Sequence, residues 1–201
     1  MSRSVDFYFS IDSRYSYLAA TQIAGIEQDC GVGVRWRPLT LESLLKARGA
    51  SPFEGRPVSG QYERDYRSAD VTLWAASYGI KLVDPDWDGV DWRRVNRAAV
   101  ASAVLDVCPI FVKALYEAIM VRRESPKDDA AIARIAVAAG IDGARLVTAI
   151  DTPAVEERHL LHRDAALAAG VFGVPSFVAD GTMFWGNDRI ALLKWHLKKQ
   201  R

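Results

Sequence analysis

Ala169-Gly170-Val171-Phe172-Gly173-Val174-Pro175-Ser176-Phe177-Val178-Ala179-Asp180-Gly181-Thr182-Met183-Phe184-Trp185-Gly186-Asn187-Asp188-Arg189 runs in the order loop, strand, turn, strand, helix start. Gly170 and Gly173 interrupt the helical pattern before them. Pro175 heads the apolar run Ser176, Phe177, Val178, at a position where a missing amide hydrogen costs a sheet little. Asp180-Gly181 is a tight hairpin turn in its chemistry. The second arm, Met183 to Trp185, stops at Gly186. Asn187 or Asp188 then caps a last helix whose apolar face includes Ile190, Leu193 and Leu197. Taken alone, Val174-Pro175 fits two readings: a trans proline at an ordinary strand start, or a cis bond, uncommon and usually kept for a tight functional turn.

Working outward, Val5, Phe7 and Phe9 alternate with Asp6 and Tyr8 as a short half-buried strand. Ser10 to Ala20 turns from small polar to helix-permissive residues, which predicts a helix from Ser13 or Ser16 to about Cys30. Gly31 and Gly33 interrupt. Val32, Val34 and Trp36 then alternate as a second strand closed by Pro38, giving strand, helix, strand with a parallel crossover. Gly49 to Gly60 is rich in Gly, Pro and Ser and reads as a loop.

Beyond it, Tyr62, Tyr66, Ala69, Leu73 and Ala76 recur at helical spacing up to Gly79. Val95 to Val107 and Ile110 to Val121 are helical patterns on either side of Pro109. Ser125-Pro126-Lys127-Asp128 predicts another helix start and Gly140 its stop. Asp142 to Ile150 and Thr152-Pro153 to Ala169, through Leu160, Leu161 and Leu167, complete the set. The expected architecture is α/β: one layer from 1–59 and 151–201, interrupted by an all-helical insertion over 60–150.

Half of the 201 residues are hydrophobic, and 26 basic against 25 acidic side chains leave a formal charge of +1. Such a chain folds, and it offers no global field for nucleic acid or an anionic membrane. No apolar run of spanning length is free of charge, and Asp6 interrupts the first apolar run where a signal peptide would have its core. A cytoplasmic location and a small-molecule partner are expected. The two cysteines, Cys30 and Cys108, form no CxxC and read as buried reduced thiols. His159 and His162 share a helix face without a third ligand, so no metal site is expected. Trp74, Trp87 and Trp92 read as core or interface, with room for one to line a substrate pocket.

Phe7-Tyr8-Phe9-Ser10-Ile11-Asp12-Ser13-Arg14-Tyr15-Ser16-Tyr17-Leu18-Ala19 resembles the Phe-Tyr-Phe-x-x-x-Ser-Pro-Tyr-Ser-Tyr-Leu-Ala signature of the 2-hydroxychromene-2-carboxylate isomerases and their kappa-class glutathione transferase relatives. Gly170 to Pro175 and Trp185 to Arg189 resemble the same family's second and third signatures, in the same order. The resemblance implies a thioredoxin-like fold of DsbA/kappa type with a helical insertion, and a homodimer. It implies glutathione as cofactor, a small aromatic carboxylate as substrate, and reversible thiolate addition to a conjugated bond as the chemistry. A kappa-like transferase or peroxidase, and a non-catalytic thioredoxin-like binding module, are the alternative readings.

The same resemblance assigns roles. Ser13 stands where redox relatives carry the first cysteine of CxxC; its hydroxyl would donate to the bound thiolate, beside helix-terminal amides that favour negative charge. By residue chemistry alone Ser13 is a helix cap. The cofactor-binding residues are Val174, through its backbone, Pro175 at the cis corner, and Asn187 and Asp188 at the γ-glutamyl end, where a carboxylate suits an ammonium. Two positions depart from the pattern. Arg14 replaces a proline and is a candidate for a substrate carboxylate. Ser59, in Pro57-Val58-Ser59-Gly60-Gln61-Tyr62, replaces a lysine.

Overall fold

The computed structural model describes residues 3–49 and 63–199; the Ser59 segment and the 59/60 domain boundary lie outside them. Strands β1 (Ser4–Phe9), β2 (Gly33–Pro38), β3 (Ser176–Ala179) and β4 (Thr182–Trp185) form one sheet in the order β2-β1-β3-β4. β2 is parallel to β1, whereas β3 is antiparallel to β1 and to β4. Asp180 and Gly181, which join β3 to β4, both have positive φ, 49° and 76°. That is the backbone a two-residue hairpin with right-handed strand twist requires.

β1 is one of the two inner strands, and the alternation in its sequence understates its burial. Tyr8 is only 2% exposed. Its ring enters a second apolar cluster with Leu39, Leu44, Ala166 and Val171, while Phe7 and Phe9 point to the main core on the other face. Only Asp6 stays polar in environment, bonded to Arg35 and Arg37 of β2.

The crossover from β1 to β2 contains two helices, α1 (Arg14–Thr21) and α2 (Ile23–Cys30), where one was expected. At the joint the Thr21 hydroxyl donates to Leu18 O and the Gln22 amide to Ala19 O, tightening the turn and ending the first helix. A helix missing from the sequence reading follows β2: α3 (Leu41–Ala47). α4 (Arg64–Ser77) was expected, but with a different inner face. It buries Val71 and Ala75, while Tyr66 and Leu73 of the apparent apolar stripe are 55% and 70% exposed.

α5 (Trp92–Val104), α6 (Cys108–Met120), α7 (Asp129–Ala138) and α8 (Gly143–Ala149) follow. α7 begins later than Ser125-Pro126 suggested, because Asp128 caps it by accepting from the Ala131 amide at 2.8 Å. α9 (Pro153–Ala168) buries Val155, His159, His162 and Ala166, leaving Leu161 exposed. α10 (Ile190–Lys199) buries Ile190, Leu193 and Leu197, as its spacing predicts. The main core unites β1, β2 and β3 with residues of α2, α5, α6, α7 and α10, so sheet and central helices share one buried cluster.

Candidate active site

Strand direction gathers three segments at one end of the sheet. β1 and β2 run in parallel and end there at Phe9 and Pro38, and antiparallel β3 begins there at Ser176, paired with Tyr8. One further step of that register sets Pro175 beside Phe9. The Val174–Pro175 bond is cis, and Gly186 N donates to Pro175 O at 2.9 Å, tying the corner to the end of β4. α1 packs against the 3-10 turn Asn187–Arg189 that follows Gly186.

Ser13 is the N-cap of α1, extended at φ −104°, ψ 113°. Its Oγ accepts from the Ser16 amide at 3.1 Å, so the cap reading is met and the hydroxyl hydrogen remains available to an acceptor. The loop that presents it is held from α5 and α6. Asn96, only 3% exposed, accepts from Ile11 N at 2.7 Å through Oδ1 and donates to Asp12 Oδ1 at 2.9 Å through Nδ2. Tyr116, fully buried, donates its hydroxyl to Ser10 O at 2.9 Å, and burial pushes its pKa well above the usual phenol range, which keeps it a donor.

Arg14 turns away from this loop, toward Asp84 Oδ1 at 3.2 Å and Ser68 Oγ of α4 at 3.4 Å. Tyr15 and Tyr17 carry α1 against the same region. Tyr15 donates to Asp70 of α4 at 2.8 Å, and burial, then this bond, raises its pKa to about 12. Tyr17 donates to Lys81 O at 2.8 Å.

Asn187 and Asp188 are adjacent but differently placed. Asn187 is buried, and Tyr78, the residue that follows α4, donates to its backbone carbonyl at 3.1 Å. Asp188 is exposed, with a loose contact of 3.6 Å to Arg189. Gly186, at φ 106°, is required here: a Cβ would come within 2.2 Å of Asp188 Oδ1. Gly173 has a comparable reason, since a Cβ there would meet Trp185 Nε1 at 2.7 Å. The Phe172 and Trp185 rings meet beside it at a tilt of 59°, centroids 4.9 Å apart, both partly exposed, an apolar wall near the Val174 corner.

Residues 4–198 match the DSBA-like thioredoxin domain. The chain is 30% identical over 198 residues to a 2-hydroxychromene-2-carboxylate isomerase of Sphingobium xenophagum, covering 98% of this chain and 99% of that one. The chain belongs to this isomerase family of DSBA-like proteins. A second family member, from Pseudomonas putida, is 30% identical over 190 residues, with 94% and 92% of the two chains covered. A solved 2-hydroxychromene-2-carboxylate isomerase superposes with a TM-score of 0.82 at 28% identity, covering 98% of this chain and 95% of that chain.

Beside these isomerase-family segments, the remaining candidates have structural employment. Cys30 and Cys108 are both free and buried, and burial raises the Cys108 thiol to about 12. His162 contacts Pro38 O through Nδ1 at 2.9 Å, and His159 contacts Thr40 through Nε2. Trp87 and Trp92 pack on each other at 4.9 Å, and Trp74 packs on Tyr78. Sequence reasoning missed Asn96, Tyr116 and Tyr78. A signal existed only for Asn96, a polar residue on the apolar stripe Trp92, Val95, Ala99.

Proposed function

We propose that this protein is a glutathione-dependent isomerase of 2-hydroxychromene-2-carboxylate type, acting on a small aromatic carboxylate. The observation that carries the reading is Ser13, a capping serine with a free hydroxyl hydrogen at the head of α1, in a chain alike end to end to isomerases. Bound glutathione would supply a thiolate able to add reversibly to a conjugated double bond.

The residues present fit that group. Ser13 can donate to a thiolate without losing its cap, because its lone pairs serve Ser16 and its proton serves the ligand. The first amides of α1 lack intrahelical acceptors and add positive potential at the same place. Val174 offers backbone groups at the cis corner. Asp188, exposed and only loosely paired, suits an ammonium. Asn187 fixes the turn that presents Asp188 through its contact with Tyr78. Phe172 and Trp185 form an apolar wall suited to an aromatic ring.

Calorimetric titration with glutathione, followed by product analysis on conjugated aromatic acids, tests this reading. The expected result is binding, geometric isomerisation, and glutathione recovered unchanged. Consumption of the thiol would make the protein a transferase, and absence of binding at millimolar glutathione would leave a binding module. The same proposal includes a homodimer and a cytoplasmic location, which sedimentation velocity and cell fractionation check.

A further inference from the structure

A cleft of about 370 Å³ opens between α3, α5 and α9, in the size range of small-molecule sites. It is on another face of α5 from the Asn96 side chain that holds the Ser13 loop. Its charge is one-sided: Lys46, Arg93, Arg97 and Arg163 line it against two carboxylates, Glu42 and Glu156. Glu156 is already engaged, by Arg97, whose other nitrogen donates to Ile150 O at 3.0 Å. Arg163 leans on its neighbour Asp164. Lys46 and Arg93, both exposed, make no ion pair among the described residues.

A second feature of the wall is independent of charge. His159 Nε2 meets the Thr40 amide at 3.4 Å and the Thr40 hydroxyl at 3.2 Å. His159 is 7% exposed, and its buried Nδ1 has no partner among the described residues. An unpartnered polar atom inside a protein is costly, and His159 sets one in the wall of this cationic cleft.

We propose that this cleft binds a small multivalent oxyanion, either a phosphate group or a polycarboxylate, at a site separate from Ser13. Cations from three helices surround the space instead of forming one bidentate fork, an arrangement that suits charge spread over several oxygens. Lys46 of α3 and Arg93 of α5 supply the cations that close on the anion, while Ser43 supplies a hydroxyl.

The test is titration of the full-length protein with inorganic phosphate, citrate and acetate at low salt, read by calorimetry and by the ring resonances of His159. The expected result is saturable binding of phosphate or citrate with a dissociation constant below about 1 mM, and of acetate at least about tenfold weaker. Phosphate alone assigns a phosphorylated ligand, and citrate alone a polycarboxylate. Lys46→Gln combined with Arg93→Gln, both at exposed positions, should weaken binding by about tenfold or more, as loss of charge-assisted contacts predicts. Ser13→Ala should bind as wild type does. No saturable response up to about 10 mM, acetate binding equal to that of phosphate and citrate, undiminished binding by the double variant, or loss of binding in Ser13→Ala would each overturn the proposal.

Discussion

Ser13 and Asp188 divide the expected work between a neutral donor and a formal charge, and substitutions separate the two. On the proposed mechanism Ser13→Ala would remove a hydroxyl that lowers the pKa of the bound thiol, and each tenfold change in its ionisation constant is worth about 1.4 kcal/mol. Turnover at neutral pH should fall and partly recover as the solution is made alkaline, with thiolate absorbance against pH as the readout. Superimposable titrations would leave Ser13 a cap only. Asp188→Asn removes charge at an exposed position without removing shape. Glutathione binding should weaken by about 1–3 kcal/mol, and an analogue without the amine should bind both forms alike. Ser13 was legible because its neighbours form a long signature. Asn96 was only half legible: it stands out as a polar residue on the apolar stripe of α5, but the Ile11 loop that it serves lies far upstream and nothing local names it. Arg14 carried a readable charge, but its direction was set by Asp84 and Ser68, far along the chain.

Among elements, the hairpin and α10 were readable because their signals are local: Asp180-Gly181 needs positive φ, and Ile190, Leu193 and Leu197 repeat on one side. α4 and α9 show why spacing alone misleads about faces. The apolar stripe of α4 points to solvent, and α9 turns two histidines inward because Pro38 and Thr40 offer them partners. α3 is too short for periodicity to declare it. Two substitutions test how elements meet. At Gly143 a Cβ would stand 2.4 Å from Ala133 O, so the start of α8 lies on the backbone of α7. Gly143→Ala should cost about 2 kcal/mol or more in unfolding free energy, measured by urea denaturation, as overpacking against an immovable backbone does. Asn96→Ala should cost about 1–3 kcal/mol by stranding the Ile11 amide, and should reduce turnover more than glutathione affinity, since it frees the loop that carries Ser13. Equal loss in both would show Asn96 to be structural only.

For the molecule as a whole, acid is the informative stress. Burial lowers His162 from the usual 6.5 to about 4. Between those values the unfolded chain binds a proton that the folded one refuses, so stability falls as pH drops, by about 3 kcal/mol at most for this group. Burial pushes Asp6 up, but Arg35 and Arg37 outweigh it and hold the carboxyl low, and Arg97 does the same for Glu156. Both therefore lose stability in the same direction at lower pH. His162→Asn keeps a donor near Pro38 O without a titrating ring. The loss of unfolding free energy between pH 7.5 and 4.5 should therefore be smaller in the variant by about 2 kcal/mol, and identical losses would show that His162 does not govern it. Apart from α3 and the break between α1 and α2, the order of strands and helices was readable across the chain, whereas its tertiary joints were not. One such joint bears on inheritance. The loop before Ser13 is anchored by Asn96 and Tyr116, residues encoded some eighty to a hundred positions downstream. A recombination that exchanges 92–120 between family members therefore exchanges the clamp without the loop it grips. Activity in such chimaeras should follow the matching of clamp and loop, whichever parent supplies either.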